Sequence, residues 1–126
     1  MADMREILFK GKRKDNGEWV EGLPFYNGEG IIDGIESKDG KLYYVIPESV
    51  SEFTGLTDIN GTKIFEGDIV YSPYEDENAV IKWDDDDAMF TIVCDDICTD
   101  FSHYWGHDLE VIGNIHDNPE LIGSRW

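Results

Sequence analysis

Positive charge is scarce in this chain: ten Lys and Arg stand against 28 Asp and Glu, a formal net charge of −18 over 126 residues. That shortage disfavours a general phosphate-backbone binder, because nucleic-acid affinity comes mainly from Lys and Arg neutralising phosphates. The few bases are also unevenly placed. Arg5, Lys10, Lys12, Arg13 and Lys14 crowd one end, and from Glu21 onward five bases face 24 acids. Long apolar runs are missing as well, and no segment approaches the roughly 20 apolar residues of a membrane helix. Residues 1–14 lack the apolar stretch and small-residue cleavage site of a secretory signal, so the cytoplasm of the producing cell is the expected compartment. Helical periodicity is absent too: no window of about a dozen residues repeats its apolar positions every 3.6 residues.

Cysteine is nearly absent, with only Cys94 and Cys98 in the run TIVCDDIC. On one strand, at about 3.3 Å per residue, their Cα atoms would lie roughly 13 Å apart. A disulfide reaches only about 7 Å. The β-branched Thr91, Ile92 and Val93 favour strand over helix here. Two structural thiols in a reducing compartment are the expectation.

What the chain does contain is turn chemistry. Asn16-Gly17, Asp39-Gly40 and Asn60-Gly61 are Asx-Gly pairs, which tolerate the positive φ of tight hairpins. Short apolar or aromatic runs lie between them, so the pattern predicts a mostly β protein with little helix. Strands are expected over residues 6–14, 18–22, 41–46, 68–71, 79–83, 89–93 and 109–115. Residues 52–56 read as a turn or linking segment, and the conformation of the glycine-rich stretch around Ile31 and Ile32 is poorly specified. Asn118-Pro119-Glu120-Leu121 has the look of an N-capped single helical turn, with Pro at the first helical position.

Several segments together resemble the YopX family. The run Phe53-Thr54-Gly55-Leu56-Thr57-Asp58-Ile59-Asn60-Gly61, continued by Lys63-Ile64-Phe65-Glu66-Gly67-Asp68-Ile69-Val70, is similar to that family's central signature. Met4 to Ile7 with Phe9, Val80 to Trp83 with Phe90, and Leu109 to Leu121 resemble its start and later segments. The resemblance implies a phage or prophage protein with a small SH3-like β-barrel over residues 51–126. A β-rich portion over residues 1–50 would precede it, the whole packed as one compact unit. It brings no established catalytic residues, so none is transferred. Glu66-Gly67-Asp68 lets the chain turn sharply into the strand at Ile69, as a barrel of short strands requires.

The candidate site residues are mostly acidic. Asp84, Asp85, Asp86 and Asp87 repel one another and cannot be buried together without compensation, so they belong in an exposed hairpin loop. Glu75, Asp76 and Glu77 form a second acidic loop after Pro73. Hard cations favour several carboxylate oxygens, but the aspartate run lacks the alternating spacing and closing Glu of a calcium loop. His103 and His107 are spaced like zinc ligands on a helix, yet Gly106 interrupts them and no Glu occupies the metalloprotease position. Phe101, Tyr104 and Trp105 are aromatics rimmed by charge, of the kind that anchors protein interfaces.

These features predict a non-catalytic protein-interaction module. Its acidic binding surface would be built from Glu75 to Glu77, Asp84 to Asp87, Tyr104 and Trp105. The partner expected is a protein of basic character; no cofactor, metal, membrane or nucleic acid is. The basic N-terminal hairpin could meet the acidic face of a neighbouring copy, giving a homo-oligomer. The alternatives are a metal-dependent enzyme using Asp and His ligands, or an acidic DNA mimic that occupies a host nucleic-acid-binding protein.

Overall fold

The computed structural model describes residues 6–73, 76–94, 97–100 and 108–122. Its chain divides into two compact units, Met1–Phe53 and Thr54–Trp126. The described residues are mostly β-strand, and helix among them is limited to short 3-10 turns such as Pro47–Ser49 and Pro119–Leu121. The strands are β1 (Phe9–Lys12), β2 (Trp19–Tyr26), β3 (Ile32–Glu36), β4 (Leu42–Tyr44), β5 (Ser51–Thr57), β6 (Lys63–Phe65), β7 (Asp68–Ser72), β8 (Glu77–Asp84), β9 (Met89–Cys94), β10 (Ile97–Asp100) and β11 (Glu110–Asn114). They make one sheet in the order β4-β3-β2-β1-β5-β6 and another in the order β10-β9-β8-β7-β11, with antiparallel pairing. Neither sheet closes on itself as a barrel.

In the first unit, β1 to β4 run as a meander because each connection has turn residues. Gly17, Gly30 and Gly40 all take positive φ, at 75°, 78° and 85°. The Asn27 side chain accepts the N–H groups of Glu29 and Ile31, so the glycine-rich stretch is an ordered hairpin between β2 and β3. Ile35 and Val45 are wholly buried on one side of this sheet. Gly22 lies on that side too, and a Cβ there would come within 2.0 Å of the Glu36 carbonyl oxygen. Only glycine permits so close a backbone approach.

The second unit's core comprises Ile64, Val70, Ala79, Ile81, Phe90, Ile92 and Leu109, with Val111 packed against it. Ile69 and Val80 have the opposite strand parity and are also fully buried, so the centre of the β7-β8 pair is covered on both faces. Each such aliphatic side chain contributes about 1.5–3 kcal/mol by leaving water.

Three expectations need correction. Residues 52–56 are not a link but part of β5, whose Thr54 hydroxyl donates to the Ile64 carbonyl at 2.8 Å. Cys94 and Cys98 do not share a strand: β9 ends at Cys94, and antiparallel β10 sets Cys98 across from Val93. The single-strand spacing therefore does not apply to them. Asn118 stands at the N-cap of the final turn without capping it by its side chain. Its Oδ1 instead accepts the Asn114 N–H at 3.3 Å.

Candidate functional site

The aspartate run occupies the turn between β8 and β9. Ladder pairs Trp83 with Phe90 and Asp84 with Met89, leaving residues 85–88 as the connection. Asp84 stabilises that turn itself: its Oδ1 accepts the Asp86 N–H at 2.9 Å and the Asp87 N–H at 3.4 Å. A short carboxylate folding back on the backbone two residues ahead is the usual way Asp initiates a turn. Ala88 closes the connection at φ 52°, a left-handed conformation that a residue with a Cβ adopts at a cost. Asp85, Asp86 and Asp87 are exposed. Below them the Trp83 and Phe90 rings meet edge to face at 5.0 Å, and Phe90 belongs to the core. The anionic tip thus stands on a braced hairpin.

The other acidic loop is at the far end of the same strand. Asp76 sits at φ 55° and accepts the Tyr71 hydroxyl at 2.7 Å. That bond, with some burial and the nearby charges of Asp76 and Glu110, pushes the Tyr71 phenol above its ordinary value. Glu77 opens β8 across from Ser72 and is exposed. From Glu77 to Asp84 the strand rises about 23 Å at 3.3 Å per residue. The two loops therefore do not converge. Glu75, Phe101, His103, Tyr104, Trp105 and His107 lie outside the described residues. No group of three His, Cys, Asp or Glu side chains gathers as a metal site among the described residues.

Two carboxylates of the signature that the sequence does not single out as site residues are buried. Asp58 is 3 % exposed. Its Oδ1 accepts the N–H groups of Asn60 and Thr62, and its Oδ2 accepts that of Val111, each at 2.8 Å. Burial pushes its carboxyl up, but the three N–H groups prevail and hold it below the ordinary value. Asp58 is an anionic clamp that ties the β5-β6 turn to β11. Asp68 is equally buried and accepts the Phe65 N–H at 2.8 Å across the β6-β7 turn. An Asp directly before the Ile59-Asn60-Gly61 turn, where its side chain can accept N–H groups from two residues ahead, is the signal that could have revealed Asp58.

The basic N-terminal hairpin is already engaged within its own unit. Arg13 grips Asp15 through Nε at 3.0 Å and Nη2 at 2.7 Å, and its guanidinium lies over the Tyr43 ring. The Lys10 ammonium stands 4.6 Å from the Trp19 ring centroid and that of Lys12 5.9 Å.

A crystal structure of protein EF1440 from Enterococcus faecalis is similar to this chain, with a TM-score of 0.65 at 23% identity, covering 95% of this chain and 100% of that one. At that identity the likeness concerns the fold. No curated protein matches the chain. The family model described as YopX protein matches residues 8–123, which include the β5-β7 signature, the Asp58 clamp and the aspartate tip. The chain belongs to the YopX family.

Proposed function

We propose that this chain is a phage or prophage accessory protein of the host cytoplasm that acts by binding a protein partner rather than by catalysis. The observation that carries this reading is the β8-β9 tip. Asp84 is spent on the turn, so Asp85, Asp86 and Asp87 present three carboxylates to solvent from a braced hairpin. A rigid anionic projection favours a basic partner and accelerates its encounter. Chemistry has less support. The buried carboxylates Asp58 and Asp68 are committed to backbone N–H groups, and a proton carrier needs a free, suitably tuned group. An SH3-like scaffold left open at β10 and β11 belongs to the same reading, supported by the short strands and tight turns of the second unit. No helix among the described residues is long and apolar enough to cross a membrane.

The test is affinity capture from host lysate with the wild type and with D85N/D86N/D87N, which leaves Asp84 to hold the turn. A partner retained by the wild type, and released from the variant at lower salt, is the expected result. If the partner proves to bind nucleic acid, the interaction is the mimic form of this reading. Identical capture by both proteins removes the tip from the account. Saturable Ca²⁺ or Mg²⁺ uptake that the variant loses, seen by calorimetry, would replace it with the metal-dependent alternative.

A further inference from the structure

Three Asn-Gly pairs, at 16–17, 27–28 and 60–61, lie in connections between strands. Asparagine before glycine is open to self-modification, because the glycine nitrogen has no Cβ beside it to hinder approach to the asparagine side chain. That nitrogen, giving up its proton, bonds to the asparagine Cγ; the Cγ–Nδ2 bond breaks, and ammonia departs with the proton. Water then opens the cyclic imide at one carbonyl or the other, leaving aspartate or isoaspartate. Water is consumed and ammonia released, with no oxidant or reductant involved. The side-chain amide must first be free to swing toward the nitrogen.

Hydrogen bonds rank the three pairs. Asn27 is half-buried and held at both ends of its amide: Oδ1 accepts the Glu29 and Ile31 N–H groups, and Nδ2 donates to Asp33 at 3.3 Å. Asn16 is exposed, but its Oδ1 accepts the Glu18 N–H at 2.9 Å. Asn60 is exposed, and among the described residues its side-chain amide has no hydrogen-bond partner. The nucleophiles do not separate Asn16 from Asn60, since the Gly17 and Gly61 N–H groups each donate to a backbone carbonyl, at 2.9 and 3.0 Å.

The position of Asn60 gives the reaction a consequence. Asp58 grips the chain on both sides of it: one carboxylate oxygen accepts the N–H of Asn60 itself and that of Thr62, each at 2.8 Å. Isoaspartate at position 60 inserts a methylene into the main chain between those two donors, so a single oxygen no longer meets both. We propose that Asn60 is a self-modification site, converting through an imide with Gly61 to isoaspartate and thereby loosening the Asp58 clamp as the protein ages.

Ageing the purified full chain in mildly alkaline buffer, followed by peptide mass spectrometry over time, tests the ranking. Asn60 is expected to convert faster than Asn16, and at least about fivefold faster than Asn27, the factor for one hydrogen bond that must open first. An Asn60 that stays intact, or that either other asparagine outruns, overturns the proposal. The isoaspartate form, separated by chromatography, then reports the consequence. Its amide hydrogen exchange at Thr62 should be at least about tenfold faster than in fresh protein, with Val111 following. N60S cannot form the imide and should keep its exchange rates through the same ageing. Unchanged Thr62 exchange in the isoaspartate form, or equal loosening of aged N60S, overturns the proposal. Should N60S misfold, the fresh and isoaspartate forms of the wild type decide alone.

Discussion

Removing the Asp58 carboxylate is expected to loosen the β5-β6 turn and β11 together. In D58A three backbone N–H groups, those of Asn60, Thr62 and Val111, lose their acceptor. Hydrogen bonds to a charged group contribute about 1.5–3 kcal/mol each and are not additive when shared, so a loss of about 4 kcal/mol is expected. D58N retains one oxygen, enough for the Asn60 and Thr62 N–H groups, but sets an NH₂ against the Val111 N–H. Its expected cost is about 2 kcal/mol. Amide hydrogen exchange at Val111 reads this locally, and D58A should accelerate it by about three orders of magnitude. The pH dependence gives an independent check. Because the folded-state carboxyl lies below its ordinary value, its stabilisation is full above the unfolded pKa of about 4 and fades as pH falls through the lowered folded value. The stability gap between wild type and D58N should therefore be constant above about pH 4 and narrow only below it. Unchanged Val111 exchange in D58A, or a gap that instead closes as pH rises, would refute the clamp.

Three further perturbations bear on other parts of the structure. G22A forces a Cβ onto the Glu36 backbone and should destabilise the first unit by about 3 kcal/mol in urea unfolding. A88G relieves the left-handed strain at the tip and should raise stability by about 1 kcal/mol in the same measurement. I81A opens a cavity among Ile64, Val70 and Phe90, and a loss of about 3–4 kcal/mol is expected from chemical denaturation of the second unit.

Local chemistry was legible in the sequence and long-range pairing was not. The Asx-Gly pairs at 16–17, 39–40 and 60–61 mark real turns, since each glycine takes the positive φ for which the pair is suited. The aspartate run reads correctly as a hairpin connection because four adjacent carboxylates leave few other places for it. The β2-β3 turn was obscured because Asn27 works through its side chain while the positive φ falls three residues later, at Gly30. β5 was missed for a different reason. Its partner β1 lies some forty residues earlier, joined through Phe9↔Glu52 and Lys10↔Ser51, and no local pattern announces that pairing.

The acidic loops illustrate the same limit at the site. Each could be recognised, but their separation depends on β8 running unbroken from Glu77 to Asp84, longer than the stretch that reads as strand. In the first unit, alternation in Leu23-Pro24-Phe25 shows two sides without saying which is inward, and the decision rests on Gly22, Ile35 and Val45 closing one of them. Asp58 and Asp68 look like surface acids in a signature that also contains Lys63 and Glu66; only the folded chain, which buries them and aims backbone N–H groups at them, sets them apart.

Recognition through the β8-β9 tip, as proposed, is examined most directly by affinity measured against salt. Binding calorimetry of a captured partner to the wild type should weaken steeply as ionic strength rises, since exposed charges act within about one Debye length of roughly 8 Å at physiological salt. D85N/D86N/D87N should bind at least about tenfold more weakly at low salt and show a flatter dependence. Equal affinities and parallel salt dependences for the two proteins would contradict it.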